Sequence, residues 1–377
     1  MAGQVILSAS ENYKEIDEYL ESNRVKKIFL VCGASISLLR IDSYFQDLEI
    51  RKGIQVIRFS DFKPNPLYES VVEGIRLFHK EKCDLIMAVG GGSAIDVAKC
   101  IKLYSNMDPC QNYLEQKIIP NDINLFAVPT TAGTGSEATC YAVVYFNGEK
   151  QSISDHSCIP STVLMDASLL KSLPENQKKY TMLDALCHAI ESFWSIHSTR
   201  ESKIYSRKAL QGIINNKDSY LENQDVGNEA MLYAANMAGK AINKAQTTAG
   251  HAMCYKLTGL YGLAHGYAAA LCVSKLWIYM MSHLDQCIDP RGKRYLHSTF
   301  EEIAEAMGCN TVAEAVRQYE EMITSFKLKV PIPRAEDFEI LKISVNPVRL
   351  KNNPVRLDAE TIDRLYHQIL GDPISKR

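Results

Sequence analysis

The sequence predicts an α/β domain with a mostly parallel sheet, followed by an all-α domain. In the first half, short apolar runs alternate with stretches of helical periodicity, the pattern of strands and helices that build a parallel sheet covered on both faces. After Pro174 the residues follow 3.6-residue spacing, with frequent Ala, Leu and Met. A chain of 377 residues can form two cores of this kind. We therefore predict domains at residues 1–170 and 171–377.

The predicted elements of the first domain are short and closely spaced. Apolar runs of four to six residues, bounded by turns or helical stretches, predict buried strands. The dipeptide Asn147-Gly148 favours the left-handed backbone of a two-residue turn, which predicts a β-hairpin. The predicted strands are Lys27–Cys32, Gln55–Phe59, Asp84–Val89, Leu125–Val128, Tyr141–Phe146 and Lys150–Ser154, and the predicted helices are Leu67–Lys80 and Ala94–Leu103.

Composition narrows the class of protein. A net charge of −2 gives no reason to expect nucleic acid or an anionic membrane as a partner. No apolar run has the length of a transmembrane helix, and the N-terminus lacks the basic start and long apolar segment of a signal peptide. The eleven cysteines include no CxxC pair and are interpreted as reduced thiols. We expect a cytoplasmic globular protein.

Two loops at predicted strand ends have the composition of nucleotide-binding turns. Gly90-Gly91-Gly92-Ser93 separates a strand from a helix, where backbone N–H groups and the positive helix end favour a phosphate. The loop from Pro129 to Glu137 contains three threonines, whose hydroxyls could bind a ribose or phosphate. For each loop, a turn without a ligand is the alternative. Neither is the GxGxxG fingerprint, and the first predicted strand turns through Cys32-Gly33-Ala34-Ser35 instead.

Four potential metal ligands lie in two blocks of the helical half. Asp184 and His188 are four residues apart in a run without Pro or Gly, so a helix presents both on one face. His251 and His265 lie fourteen residues apart, with glycines between them where one helix can end and another begin. One carboxylate and three imidazoles suit a borderline ion such as Fe²⁺ or Zn²⁺. A hydrogen-bonded core or surface position is the alternative for each histidine.

Taken in order, these motifs resemble the iron-containing (group III) alcohol dehydrogenase family over nearly the whole chain. The matching segments are Pro64-Asn65-Pro66, Gly90–Lys99, Pro129–Glu137, Asp184–His188 and His251…His265-Gly266. The resemblance implies a dinucleotide-binding α/β domain, a helical metal domain and a homodimer. It also implies that Fe²⁺, Zn²⁺ or Ni²⁺ is bound by Asp184, His188, His251 and His265. The residues implied to line NADPH or NADH are Gly33, Asn65, Gly91, Gly92, Ser93, Thr130, Thr131, Thr134, Thr139 and Lys150.

The chain departs from the family pattern at two positions that bear on its chemistry. Many members carry a proton-relay histidine four residues after the first ligand of the second block, where this chain has Tyr255. A phenol, with a reference pKa of about 10, passes a proton less readily at neutral pH. Tyr255, Lys150, water and the cofactor ribose therefore stay open as catalytic candidates. Gly33 replaces the acid of NAD-preferring relatives and cannot repel a 2′-phosphate, which favours NADPH.

The C-terminal segment from Ser344 to Val355 resembles a branch of the family that reduces small anionic aldehydes, the phosphonoacetaldehyde reductase branch. The implied reaction converts phosphonoacetaldehyde to 2-hydroxyethylphosphonate. Side chains in solvent are the alternative for the basic residues of this tail. Another short-chain dehydrogenase, acting on sulfoacetaldehyde or a butanol-type alcohol, and a dehydroquinate-synthase-like metal/NAD lyase are alternative functions. Candidate cations for an anionic group are Lys150, His156, Lys256, Arg349 and Lys351.

Overall fold

The computed structural model of the chain describes residues 4–371. It divides into two compact units. The first runs to Pro174 and takes in Asn223–Leu232, and the second comprises Glu175–Glu222 and the residues from Tyr233 onward. The outermost residues of the two predicted domains, 1–3 and 372–377, lie outside the described part. The domain boundary near residue 170 stays a prediction, because compactness does not test whether either part folds alone.

The strands of the described residues all lie in the first unit. Six of them form one parallel sheet, and the other two form an antiparallel hairpin, so the predicted α/β class is confirmed. Asn147 and Gly148 have φ angles of 51° and 76°, as the predicted two-residue turn requires. The strands are β1 Val5–Ser8, β2 Lys27–Cys32, β3 Gln55–Phe59, β4 Leu85–Gly90, β5 Asn124–Pro129, β6 Tyr141–Phe146, β7 Glu149–Ser154 and β8 Thr162–Met165.

Two of these strands, β1 and β8, are absent from the sequence prediction. Each has four residues, which is too short for a period of two to stand out from the neighbouring loops. The two strands pair with each other in parallel, Val5 beside Thr162 through Ser8 beside Met165. A pairing between segments so far apart in the chain leaves no local signal.

Helices cover both faces of the parallel sheet because alternate strand residues point to opposite sides. On one side Phe29 and Val31 pack into a buried cluster with residues of two helices, and on the other side Ile28 and Leu30 pack with residues of the two remaining helices. Burial of each large apolar side chain contributes about 1.5–3 kcal/mol. The helices of the first face are α3 Tyr68–Glu81 and α4 Gly92–Tyr104, and those of the second are α1 Lys14–Ser22 and α2 Ile41–Lys52.

The strand order is β1-β8-β5-β4-β2-β3, and it reverses between β2 and β4. The carboxyl ends of β2, β4 and β5 lie side by side, since Cys32 is paired with Val89 and Gly90 with Pro129. In doubly wound sheets, ligands bind outside the carboxyl ends at such a reversal. The glycine and threonine loops therefore begin at the edge where a nucleotide is expected.

After Pro174 the described chain is helical. In the helix that begins at Glu175, every residue from Thr181 to Trp194 is buried. Ionisable groups on such a helix must find partners, because unpaired burial of a polar group is costly. The helices are α5 Glu175–Trp194, α6 Arg200–Leu221, α7 Asp225–Ala245, α8 Ala249–Tyr261, α9 His265–Ser282, α10 Lys293–Ala306, α11 Val312–Ser325, α12 Ala335–Ile343, α13 Pro347–Leu350 and α14 Ala359–Leu370.

None of these helices, within residues 4–371, combines the length and the apolar character needed to cross a membrane.

Candidate metal centre and cofactor loops

Helix α5 carries three ionisable residues on one buried face. Asp184, His188 and Glu191 are four and three residues apart, which places their side chains one above another along the helix. The Nε2 atom of His188 lies 3.8 Å from Oδ1 of Asp184. The sequence predicted this pair from its spacing, and the helix presents both side chains as expected.

Helices α8 and α9 bring the two other histidines to the same carboxylate. His251 lies in the first turn of α8, with Nε2 3.4 Å from Asp184 Oδ1. His265 is the first residue of α9, with Nε2 3.7 Å from the same oxygen. The potential ligand atoms of Asp184, His188 and His251 lie within 4.8 Å of one another. Three of the four sequence-predicted metal ligands, the histidines, therefore converge on one oxygen of the fourth, Asp184.

Gly266 allows this convergence. A Cβ atom at this position would lie 2.0 Å from the carbonyl oxygen of Tyr180 and 2.8 Å from the backbone nitrogen of Asp184. Only glycine permits the start of α9 to approach the backbone of α5 so closely. The His265-Gly266 motif thus places an imidazole beside Asp184 through a backbone contact.

Glu191, which has no role in the sequence analysis, orients His251. Its carboxylate accepts a hydrogen bond from Nδ1 of His251, which leaves Nε2 directed toward Asp184. The same carboxylate accepts bonds from Thr248 N (3.0 Å) and Thr248 Oγ1 (2.6 Å) at the start of α8. A carboxylate behind a ligating imidazole sets the tautomer and raises the basicity of the ligand. The seven-residue spacing from Asp184, two helical turns, is the signal that could have identified Glu191.

Burial and neighbouring charges shift the pKa values of the cluster in opposite directions. Burial alone raises the pKa of Asp184, but the adjacent histidines, His188 first, hold it well below its usual value. Burial lowers the pKa of His251, but Glu191 and Asp184 outweigh that effect and raise it to about 9. These shifts indicate that the cluster favours a positive charge beside its carboxylates. One carboxylate and three imidazoles fit a divalent transition metal.

Tyr255 stands one turn after His251 and stacks on the ring of His265. The ring centroids are 5.5 Å apart and the planes differ by 12°. Burial raises the pKa of the Tyr255 phenol above its usual value. The phenol lies beside the candidate ligands, but it is a weaker acid than tyrosine in water.

In the first unit, the two candidate nucleotide loops pack against each other. A Cβ atom on Gly92 would lie 2.9 Å from Cγ2 of Thr134, and one on Gly91 would lie 3.2 Å from Thr131. Thr130 N donates to the carbonyl oxygen of Gly90, at 3.0 Å. The structure therefore brings together most of the candidate cofactor residues at the ends of β4 and β5. Gly33 follows β2 along the same edge, and Ser93 lies in the first turn of α4.

Two charged residues of α4 hold the threonine loop in place. The Nζ atom of Lys99, which is fully buried, donates to Thr139 O and Tyr141 O at 2.8 Å and to Ser136 Oγ at 3.2 Å. Asp96 accepts from Ser136 Oγ at 2.5 Å and from Val143 N at 3.0 Å. Burial raises the pKa of Asp96, and Lys99 opposes that shift. In the sequence, Lys99 is the last residue of the matching segment Gly90–Lys99, and that pattern predicts no role for it.

The remaining cofactor candidates lie around the hairpin. Asn65 is exposed, with a left-handed φ of 58°. The carbonyl of the next residue, Pro66, accepts a 2.8 Å bond from the backbone N of Tyr145, whose partner across the hairpin is Lys150. Thr139 is buried, and its hydroxyl accepts a bond from Lys99 at 3.2 Å. Asn65 and Lys150 thus lie on adjoining segments. Thr139 is one of the residues through which Lys99 holds the threonine loop.

Comparison with known proteins agrees with this geometry. The family model described as iron-containing alcohol dehydrogenase matches residues 4–167, and the model of the C-terminal part of that family matches residues 178–370. A phosphonoacetaldehyde reductase of Streptomyces viridochromogenes is 31% identical over 312 residues, 79% of each chain.

Two solved structures have the same fold. An iron-containing alcohol dehydrogenase from Thermococcus thioreducens covers 98% of this chain and 99% of its own, with a TM-score of 0.86 and 22% identity. A sulfoacetaldehyde reductase from Bifidobacterium kashiwanohense, solved with NAD⁺, covers 98% of this chain and 97% of its own, with a TM-score of 0.82 and 24% identity. With both family models matched in order along the chain, this protein belongs to the iron-containing alcohol dehydrogenase family and is an oxidoreductase of the alcohol dehydrogenase/aldehyde reductase type.

Proposed function

We propose that the protein reduces a small anionic aldehyde to its alcohol, and that phosphonoacetaldehyde, reduced to 2-hydroxyethylphosphonate, is the first candidate. The observation that carries the reaction type is the convergence of three imidazoles on Asp184, with Glu191 behind His251. The substrate proposal is supported by the 31% identity to a phosphonoacetaldehyde reductase.

The proposed metal ligands are Asp184, His188, His251 and His265, and Fe²⁺ is the first candidate ion, before Zn²⁺ and Ni²⁺. When bound, a divalent ion supplies a Lewis acid for a carbonyl oxygen, and a reduced nicotinamide supplies the hydride. Glu191 holds His251 in the tautomer that leaves Nε2 available to an ion. Metal analysis after anaerobic and aerobic purification distinguishes iron from zinc or nickel.

We propose that the cofactor binds at the carboxyl ends of the strands, along the glycine and threonine loops, with Lys150 at the hairpin as a further contact. NADPH is the expected form because Gly33 carries no charge to repel a 2′-phosphate. The proton for the product reaches it through Tyr255, water or the cofactor ribose. We further propose that the protein is a homodimer in solution, a state that analytical ultracentrifugation measures directly.

The decisive experiment compares short aldehydes that carry a phosphonate, a sulfonate, a carboxylate or no charge, each assayed with NADPH and with NADH. We expect loss of the reduced-nicotinamide absorbance, with the highest kcat/KM for the phosphonate and NADPH. A lyase of the dehydroquinate synthase type leaves that absorbance unchanged overall. If no aldehyde consumes the reduced cofactor in the metal-loaded protein, the proposed reaction is wrong.

A further inference from the structure

The second unit contains an arginine that contacts Tyr255, the residue stacked on the candidate ligand His265. The guanidinium carbon of Arg349, on α13, lies 5.5 Å from the centroid of the Tyr255 ring. Tyr255 in turn stacks on His265, whose Nε2 is 3.7 Å from Asp184 Oδ1. The Tyr255 ring therefore contacts both the positive charge of Arg349 and the proposed ligand His265.

Hydrogen bonds join the position of Arg349 to the start of α8. Its Nη1 atom donates to Thr247 Oγ1 at 3.1 Å. The amide nitrogen of buried Asn352 donates to the carbonyl oxygen of Thr247, at 3.1 Å, and to Gln246 Oε1, at 2.9 Å. The next residue, Thr248, donates two hydrogen bonds to Glu191, which orients His251. The segment that holds Arg349 in position is therefore adjacent to the one that holds Glu191.

The guanidinium is half-buried but has no carboxylate within 4 Å among residues 4–371. Arg58, Arg291 and Arg334 each form an ion pair, whereas Arg349 shares the absence of one with a few other described arginines, such as Arg200 and Arg294. In the described part of the chain, one neutral hydroxyl accepts from Arg349. A guanidinium has five N–H donors in a planar fork that matches the oxygens of a phosphonate, sulfonate or carboxylate. Arg349 thus combines fixed placement with donors available to an anion.

Lys351, the other basic residue of this segment, is exposed to solvent. It follows the last residue of α13, whereas Arg349 lies within the helix. The two side chains share a segment and a charge but differ in burial and in contact with Tyr255. They therefore form a matched pair for mutagenesis.

We propose that Arg349 binds the anionic group of the substrate while the aldehyde lies at the proposed metal centre, which makes Arg349 the residue that selects anionic over uncharged aldehydes. This inference rests on the proposed function and names the subsite for its charged group. The other role open to Arg349 is packing on Tyr255, which would affect charged and uncharged aldehydes equally.

The first experiment measures kcat/KM for phosphonoacetaldehyde and for uncharged butanal in four metal-loaded proteins: wild type, Arg349→Met, Arg349→Lys and Lys351→Met. We expect Arg349→Met to lower the ratio of the two values about 10- to 100-fold, because a hydrogen-bonded charge pair is lost. Arg349→Lys keeps the charge without the fork, so its ratio should fall less. Lys351→Met should keep the wild-type ratio.

The second experiment needs no turnover. Calorimetric titration with ethylphosphonate, which has no carbonyl group, measures binding of the anionic group, and the difference between wild type and Arg349→Met isolates the subsite from any phosphonate bound by the metal. We expect Arg349→Met to weaken its binding about as much as it lowers the ratio, and Lys351→Met to leave it unchanged. Circular dichroism tests whether each variant is folded. If Arg349→Met is not folded, Arg349→Lys takes its place in the comparison.

The outcomes separate this inference from the proposed function. An equal loss of kcat/KM for both aldehydes in Arg349→Met, or unchanged ethylphosphonate binding, overturns the subsite. A wild-type protein that reduces butanal but no anionic aldehyde overturns it as well, while the aldehyde reductase activity stands. If the wild type reduces no aldehyde, the proposed function is wrong, yet weaker ethylphosphonate binding by Arg349→Met would still support the anion subsite.

Discussion

In the first unit most candidate cofactor residues lie on or beside loops at strand ends, whereas in the second unit the candidate metal ligands lie on helices. The loop residues are mainly glycines and threonines, and they offer backbone N–H groups and hydroxyls. The helical residues offer one carboxylate and three imidazoles, of which His251 is held by a further carboxylate, Glu191. Both regions depend on charged side chains for support: buried Lys99 and half-buried Asp96 in the first, buried Glu191 in the second.

This difference reflects what each ligand requires. A dinucleotide is long and contacts many weak donors, so no single loop residue is expected to be indispensable. A metal ion requires a few donors at set distances, and loss of one removes a large part of its binding energy. Substitutions in the second unit should therefore have larger effects, and those in the first unit should leave the metal bound.

The largest effect is expected from His188→Ala. Loss of one imidazole removes a proposed ligand, and with it the Lewis acid, so kcat should fall on the order of 1000-fold or more. Metal content measured by mass spectrometry should fall in parallel. His297→Ala, at an exposed side chain of α10, is the control and should keep both. Near-normal turnover in His188→Ala would refute the ligand assignment.

Glu191→Gln should have the next largest effect. The amide of glutamine keeps the size of the side chain, but it is neutral and has one acceptor oxygen instead of two. It therefore cannot accept hydrogen bonds from both His251 Nδ1 and Thr248 as the carboxylate does. The dissociation constant of the metal should rise about 10- to 100-fold. A titration with Fe²⁺ under anaerobic conditions measures it, and excess metal should restore most of the activity. Unchanged metal affinity would mean that Glu191 serves only to hold the start of α8.

Lys99→Met tests the first unit. It leaves half-buried Asp96 without its nearby cation and removes the donor to Thr139 O and Tyr141 O, at a cost of about 3 kcal/mol in the free energy of unfolding. The KM for the cofactor should rise several-fold, with metal content unchanged. Lys102→Met is the control, because Lys102 is buried on the same helix but bonds to Asn121 instead. Loss of metal from Lys99→Met would contradict the assignment of cofactor binding to the first unit and metal binding to the second.

The smallest effect is expected from Tyr255→Phe. The substitution keeps the ring that stacks on His265 and removes a phenol whose pKa burial has raised. We expect kcat to fall by less than about tenfold, compared with about 100- to 10,000-fold for loss of a positioned general acid. Steady-state kinetics at several pH values measure the change. A loss of the larger size would assign the proton relay to Tyr255.

Short-range patterns predicted most of the fold. These patterns depend on residues within a few positions of one another. They are the alternation of strands and helices, the Asn147-Gly148 turn and the 3.6-residue periodicity after Pro174. Strands β1 and β8 were missed because both are short and are stabilised by pairing with distant segments. Asp184 and His188 were predicted as a pair because one helical turn separates them.

By itself, the sequence determined which residues could serve as ligands, since carboxylate, imidazole and glycine-rich turns have chemistry that is independent of the fold. Only the tertiary structure decided which of them meet. Four contacts join segments that are distant in the sequence. They are the approach of α9 to α5 at Gly266, the bond from His251 to Glu191, the bonds of buried Lys99 to the threonine loop, and the contact of Arg349 with the Tyr255 ring. Local periodicity carries no information about such contacts, because they form when the elements pack.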